Sequence, residues 1–341
     1  MQTLNYRIAN LSDTQRIIDF IRQNWDENHV YVKHPSLFRY DFVRDGKLTM
    51  AIIEINNKIE GIFGYFFSNH LEAPDIGGML WHVTQKAQAL RPLAGLELRK
   101  FVLGKTTHRF FGSPGAGLQT KKIYEVIGSE WIPMNHFVGT FYDSTIPNCI
   151  NLNLTYLKIR KQKFIVSKLK SLENLMELDS SIFKHQTPIK DVSYLAWRYL
   201  MHPYHFYRLW KLQLHNAEMV VVSRTQRLET AKIIRIIDYL GPVGLAAESI
   251  SYVFELEREN QELAYVDFVC SGFDVQAFEQ HGFVNIDFND KSVKLPTYFD
   301  PLDFNSVQIF ANADKGFKNV VMVKGNGDQD RPNSEYNWCP N

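Results

Sequence analysis

The order in which the apolar periodicity changes along this chain constrains its fold more than any single motif. Residues 4–9 (LNYRIA) alternate as a short strand. Ser12 and Gln15 have the spacing of a capping box, and Ile17, Ile18, Ile21 and Trp25 then recur at helical spacing. Residues 24–42 hold many aromatics and no clean period, an irregular insertion of a kind more often functional than structural. Runs at 48–55 and 59–67 flank Asn56-Asn57-Lys58 as a hairpin, and 75–83 (DIGGMLWHV) reads as a fourth strand. A helix over 91–104, a fifth strand over 107–112, a helix that stops at Gly128 and a strand over 130–142 complete the set. The order is β-α-β-β-β-α-β-α-β.

The pattern then restarts. Residues 151–165 read as a strand with a connector, 169–183 as helical, and 192–202 carry the phrase VSYLAWRYLMH. Strands follow at 206–213, 218–224 and 231–240, then a helix at 246–259, a strand at 264–270 and a helix at 275–281 stopped by Gly282-Phe283. This is an internal repeat on the scale of a domain. Strands alternating with helices predict an α/β fold with mixed, α+β-like sheets. A length of 341 residues supports two cores, and the expected domains are 1–150 and 151–341. Residues 324–341 are polar and rich in Gly, Asn, Asp and Pro, which on composition is a loop.

Composition removes several function classes. A net charge of +1 offers no basic stripe for nucleic acid. Cys149, Cys270 and Cys339 are far apart and form no C-x-x-C pair, so neither a zinc site nor a disulfide framework is expected, and no metal. The opening MQTLNYRIANLSD lacks a charged-then-apolar leader, and no apolar run approaches ~18 residues, so no membrane span is expected, and the cysteine usage fits a reducing compartment. The 24 Phe and 16 Tyr are suited either to deep cores or to stacking on flat ligands.

Tyr124 lies one turn before Gly128 in LQTKKIYEVIGSEWI, on the helix face that Gly128 terminates. Helix, tight stop and strand, with a tyrosine in the last turn, resembles the GNAT acyltransferase superfamily. There a tyrosine in an xxxYxxxGF phrase protonates the departing coenzyme A thiolate. The element order is also that of the superfamily, read twice. The phrases YLAWRYLMHPYHFY, IIRIIDYLG and GDQDRPN extend the likeness over nearly the whole chain, and are similar to tandem-GNAT sugar N-acyltransferases of bacterial surface-polysaccharide gene clusters. The resemblance implies two tandem GNAT-like domains, the first binding CoA and the second, with an ordered tail, on the sugar-nucleotide side. It implies an acyl-CoA co-substrate (3-hydroxybutanoyl-CoA or acetyl-CoA). The implied acceptor is the amine of a nucleotide-linked amino-deoxysugar, a dTDP-3-amino-3,6-dideoxyhexose, used in O-antigen, capsule or other lipopolysaccharide synthesis.

Acyl transfer to an amine needs a pyrophosphate seat, donors for the oxyanion, a base and a proton for the thiolate. By resemblance the seat falls at Arg91, Ala94, Gly95 and Leu96, where a helix N-terminus favours phosphate, although only one glycine is present and its register is off. Gly77-Gly78 inside a strand pattern signals a bulge, after which the backbone of Leu80, Trp81, His82 and Val83 would hold pantetheine. Tyr124 is the acid. Phe278 takes its place in the second repeat and cannot donate a proton, so the first repeat is expected to keep the chemistry. Candidate bases are His136, Asp75, His82 and Asp267. For the acceptor the resemblance implies Trp197, Arg198 and Tyr199 in a cleft, with the arginine gripping a diphosphate, and Asp328, Asp330 and Arg331 closing over it. Asn28, His29 and Phe38 are further acceptor candidates. Each of these residues is also open to a plain packing role. Two other functions fit a tandem GNAT chain: an aminoacyl-tRNA-dependent ligase of the FemABX type, which needs a basic surface, and a catalytically inactive binding module.

Overall fold

Arg7 and Arg16 decide how the first repeat begins. Both pair with Asp13 at 2.7 Å and with Glu54 at 2.7 and 2.8 Å, so one charged cluster ties the first strand, the first helix and the second long strand together. In the computed structural model, residues 3–140, 157, 164–227, 232–258, 263–290, 295 and 308–332 are described. The contacts divide the chain into two units, 1–111 with 331–341, and 112–330.

The first unit runs β1 (Asn5–Ile8), α1 (Thr14–Asn24), α2 (Val30–Lys33), α3 (Pro35–Phe42), a small hairpin of β2 (Val43–Arg44) and β3 (Lys47–Leu48), then β4 (Met50–Ile55), β5 (Lys58–Phe67), β6 (Asp75–Val83), α4 (Gln85–Leu90) and α5 (Ala94–Lys105). Strands β1, β4, β5 and β6 pair antiparallel in that order. Asn56 and Asn57 both take positive φ, 50° and 63°, the primed turn that suits the twist of a hairpin. The helix cap lies two residues earlier than Ser12 and Gln15 suggest: Asn10 accepts the Ser12 N–H, and Asp13 accepts the Asn10 N–H at 2.9 Å. Residues 24–42 are not irregular. After a turn over 25–29 they fold as α2 and α3, and Tyr31, Phe38 and Phe42 interlock with ring centroids 5.0–5.7 Å apart. Helices of 4 and 8 residues are too short to show a period in sequence. Helix α5 buries Ala94, Leu98 and Val102 against Ile53, Phe63 and Ile76.

β7 (Phe110–Ala116) carries the chain into the second unit. There follow α6 (Lys121–Val126), β8 (Ser129–Pro133), β9 (Asn135–Gly139), β10 (Ile165–Leu169), α7 (Leu172–Met176), α8 (Val192–Leu195) running on as a π turn Ala196–Leu200, β11 (Arg208–Leu214), β12 (Ala217–Arg227), β13 (Lys232–Leu240), α9 (Ala246–Glu257), β14 (Leu263–Ser271), α10 (Val275–Gln280), β15 (Val284–Asn285), β16 (Phe310–Asp314) and β17 (Met322–Val323). The main sheet has the order β10-β11-β12-β13-β14-β9-β15, with β13 and β14 parallel and β17 added to β14. Helix α9 covers one face of it, with Ile250, Val253 and Phe254 fully buried.

The repeat is therefore real, and its end strands are exchanged. The single strand expected over 130–142 breaks at Met134. Its first half, β8, pairs with β16, which comes from the end of the second repeat. Its second half, β9, enters the second sheet between β14 and β15. These ladders bind 112–140 to the second repeat, so the contact boundary falls at 111/112 and not at 150. The helix expected over 169–183 is instead the end of β10, the short α7 and a 3-10 turn. The strand and connector expected over 151–165 lie largely outside the described residues.

Asp267 on β14 is fully buried, takes a hydrogen bond from His136 Nε2 at 3.0 Å and faces Arg235 at 3.3 Å. Burial opposes its ionisation, but Arg235 and His136 overcome this and hold the carboxyl down to about 2. Its folded value lies below the ordinary one, so its stabilisation is present above the unfolded pKa of 3.8 and lost as pH falls through 2. Asp267→Asn should cost about 3–5 kcal/mol at pH 7 and flatten the loss of stability between roughly pH 4 and 2. Urea titrations followed by circular dichroism check this; an unchanged acid slope would contradict it.

Candidate functional site

Opposite β5, strand β6 has one residue too many. Phe63 pairs with Trp81 and Gly64 with Met79, leaving Leu80 in a bulge with φ 46°, a conformation that costs any residue with a Cβ. The glycine pair lies just ahead of the bulge for another reason. A Cβ at Gly77 would come 2.1 Å from the Phe66 ring, and one at Gly78 3.1 Å from Phe111. Up to Leu80 the strand is buried; Trp81, His82 and Val83 are partly exposed.

The pleat sends Trp81 and His82 to opposite faces. Trp81 packs edge-on to Phe63 and within 3.3 Å of where a Cβ on Gly95 would stand, at the start of α5. His82 turns to α1, edge-on to Phe20 and stacked on Trp25 at 5.2 Å and 24°. Burial pushes the His82 pKa below the ordinary value, against a hydrogen bond to the backbone of Asn24. The neutral ring keeps a lone pair on one of its nitrogens. Trp25 also meets His29, at 5.4 Å, and the Arg331 guanidinium, at 5.8 Å. His29 Nδ1 accepts the Tyr31 N–H at 3.2 Å, capping α2. Burial, aided by Arg331, holds its pKa down to about 2, so the ring is neutral with its proton on Nε2. That Nε2 is buried and has no hydrogen-bond partner among the described residues.

The phosphate seat expected at Arg91–Leu96 is only partly built. Helix α4 intervenes after β6, and α5 starts at Ala94, not Arg91. The exposed Arg91 lies 3.5 Å from Glu97, which also takes the Tyr6 hydroxyl at 2.6 Å. Ala94 and Leu96 are buried, so this turn has only its backbone to offer a phosphate.

The second repeat has the same bulge and a different outcome. Val222 pairs with Asp238 and Ser223 with Ile236, leaving Ile237 over. β13 and β14 pair in parallel only as far as Ile236 and Phe268. Beyond that point Val323 and Met322 pair with Cys270 and Ser271, and Gly325 sits so close that a Cβ would lie 3.3 Å from the Ile237 carbonyl oxygen. The chain's own 321–327 segment thus fills the opening past the bulge. Tyr194 donates to the Gly325 carbonyl at 2.7 Å, and Arg198 to those of Gly325 and Gly327 at 3.3 and 2.5 Å. Tyr199 and Lys190 hold Asp238 at 2.6 and 2.5 Å.

These contacts correct several expectations. Trp197, Arg198 and Tyr199 are buried, and Arg198 and Tyr199 clamp the tail segment instead of lining a cleft. Asp330 is buried, 2.7 Å from Arg224 and 2.8 Å from the Tyr207 hydroxyl. Asp328 is half-buried and accepts from Gln329. His136 and Asp267 are wholly buried in the second sheet. Asp75 is wholly buried and takes two hydrogen bonds from Arg109, so it is committed as a structural ion. Phe38 is core, and Asn28 is an exposed turn residue whose N–H goes to Asp26. Tyr124 is buried on α6, and Gly128 ends that helix with φ 78°. The structure does gather His29, His82 and Arg331, together with Trp25, which sequence reasoning took for one more apolar residue of α1. Nothing in its spacing separates it from Ile17, Ile18 and Ile21; its 38% exposure does.

A Cβ on Gly325 would stand 2.0 Å from the Tyr199 hydroxyl. Gly325→Ala should therefore loosen the inserted segment, cost about 1–3 kcal/mol and speed hydrogen exchange around Val323. Unaltered exchange there would show that the slot is not filled as described.

No protein-family model and no curated protein sequence matches the chain. Solved structures do match in shape. A GCN5-related N-acetyltransferase from Anabaena variabilis superposes over 91% of this chain and 72% of its own, at TM-score 0.57 and 11% identity. A probable N-acyltransferase from Enterococcus faecalis gives 91% and 72%, at 0.55 and 10%. A putative acetyltransferase from Pyrococcus horikoshii gives 95% and 93%, at 0.50 and 12%. At these identities the likeness is one of fold: the chain has the mixed α/β architecture of the GNAT proteins, with two sheets in tandem.

Proposed function

We propose that this chain transfers an acyl group from an acyl-CoA to an amine, and that the first repeat alone binds the CoA. The observation that carries this is the contrast between the two bulges. At Ile237 the opening holds the chain's own segment; at Leu80 the strand emerges partly exposed, with Trp81, His82 and Val83 available to a ligand. Backbone beyond the Leu80 bulge would hold the pantetheine arm and face the thioester carbonyl, where oxyanion charge develops.

His82 is the base that the geometry favours. Of the four candidates Asp75 is committed to Arg109, and His136 and Asp267 are sealed in the second sheet. His82 is held rigidly between Phe20 and Trp25 and is neutral near pH 7. In the reaction the amine nitrogen bonds to the thioester carbon, its proton passes to His82, and the C–S bond breaks. Tyr124 is assigned the thiolate's proton on the family resemblance. The acceptor on that same resemblance is a nucleotide-linked amino-deoxysugar such as a dTDP-3-amino-3,6-dideoxyhexose. The acyl donor would be 3-hydroxybutanoyl-CoA or acetyl-CoA, with a role in surface-polysaccharide synthesis. No helix among the described residues is long and apolar enough to cross a membrane.

Calorimetric titration with CoA should give one site per chain. Two sites, or none, would defeat the single-slot reading. Thiol release from acyl-CoA in the presence of amino-sugar nucleotides tests the chemistry. His82→Asn should lower kcat by roughly 10²–10⁴-fold while leaving CoA affinity within about twofold. The wild-type rate should fall in acid only below the ordinary histidine pKa, since burial depresses that of His82, and this limb should vanish in the variant. A variant with normal kcat and the same acid limb would remove His82 from the mechanism.

A further inference from the structure

The proposed chemistry makes no use of His29, which meets the same Trp25 ring as His82. His29 is 95% buried, its Nδ1 is spent on the Tyr31 N–H, and its Nε2–H meets no acceptor among the described residues. Native proteins seldom bury a donor without giving it something to bond. Next to it Trp25 exposes more than a third of its surface, and Arg331 lies by the same ring. The nearby acid Asp26 is exposed and accepts the Asn28 N–H in its own turn. One wall of the first unit thus combines a flat apolar face, a fixed cation and a buried neutral donor.

We propose that this wall is the acceptor's seat, and that the acceptor carries an anionic oxygen, from a phosphate or a carboxylate, next to a flat ring. The ring lies on Trp25, and the anionic oxygen takes the Arg331 guanidinium and the His29 Nε2–H. Arginine suits such oxyanions because its planar fork can give two parallel hydrogen bonds. A neutral donor beside it adds a directed bond without a second charge to desolvate. The anchoring places the acceptor against Trp25, on whose ring His82 is stacked. The assignment of this ligand as acceptor rests on the transferase reading; the wall's ligand chemistry does not.

Binding is therefore measured in place of turnover, by calorimetry on the full chain with uridine diphosphate, uridine, pyrophosphate, benzoate and CoA as probes. Uridine diphosphate should bind, and Arg331→Gln should weaken it about tenfold or more. His29→Asn keeps an acceptor for the α2 cap but shortens the donor, and should weaken binding several-fold. Trp25→Ala should weaken uridine diphosphate and leave pyrophosphate unchanged. Tighter binding of benzoate than of uridine diphosphate, still lost in Arg331→Gln, would assign the anion to a carboxylate. CoA affinity should stay the same in all three variants. Equal binding of uridine diphosphate to wild type and variants overturns the proposal, and so does equal binding of uridine and its diphosphate. Loss of CoA affinity in Arg331→Gln overturns it too, because the wall would then be CoA's own seat. Trp25 and Arg331 are partly exposed, so their variants remain decisive even if His29→Asn fails to fold. CoA failing to bind while uridine diphosphate binds would sink the transferase reading and leave this one standing.

Discussion

Seating charged groups inside the second unit is the constraint on which the rest depends. Lys190 with Asp238, Arg224 with Asp330, and Arg235 with Asp267 are all buried ion pairs. Lys324 joins them on the inserted segment, where burial, with Arg235 nearby, lowers its pKa to about 7. Removing either partner of such a pair would leave an uncompensated buried charge. The segment that fills the second slot is held by the hydrogen bonds of Tyr194 and Arg198 to its carbonyls. This argues that the slot is structural, since the chain's own backbone occupies it.

The two repeats thus use one backbone device for opposite ends. In each repeat a bulge interrupts a long strand, at Leu80 in β6 and at Ile237 in β13. In the second repeat Gly325, which has no Cβ to clash with Tyr199, lets the chain's own backbone pack beside the bulge. In the first repeat the residues past the bulge are a tryptophan, a histidine and a valine that stay partly exposed. The cluster of Arg7, Arg16, Asp13 and Glu54 sets α1 against the sheet, and α1 in turn carries Phe20 to its place against His82, with Trp25 following its last residue. Folding and candidate chemistry meet at that helix.

The exchanged strands explain why the contact boundary at 111/112 has no signal in local periodicity. Residues 130–142 look like one strand because both halves alternate and both are apolar. Pro133 and Met134 turn the chain between two sheets, and β8 and β9 find partners far along the sequence, β16 and β14. Such pairing is a long-range choice that local periodicity does not encode. Short helices fail for a related reason. Residues 30–42 hold two helices whose burial comes from Tyr31, Phe38 and Phe42 packing on each other, so tertiary contact and not propensity makes them helical.

The sequence by itself determined most of the element order, the internal repeat, the Asn56-Asn57 hairpin, the stop at Gly128 and the residue types from which a site could be built. These depend on periodicity and on backbone rules that act over a few residues. Only the tertiary structure decided which of those residues meet. It sealed Asp75 and Asp267 into ion pairs, tied His136 to Asp267 by a hydrogen bond, and turned Arg198 and Tyr199 into a clamp on the chain's own tail. It also brought Trp25, His29, His82 and Arg331 to one wall from three separate stretches. The physical reason is that burial and pairing are properties of neighbours in space. A histidine becomes a neutral donor or a candidate base only once its surroundings have removed water and set its remaining bonds.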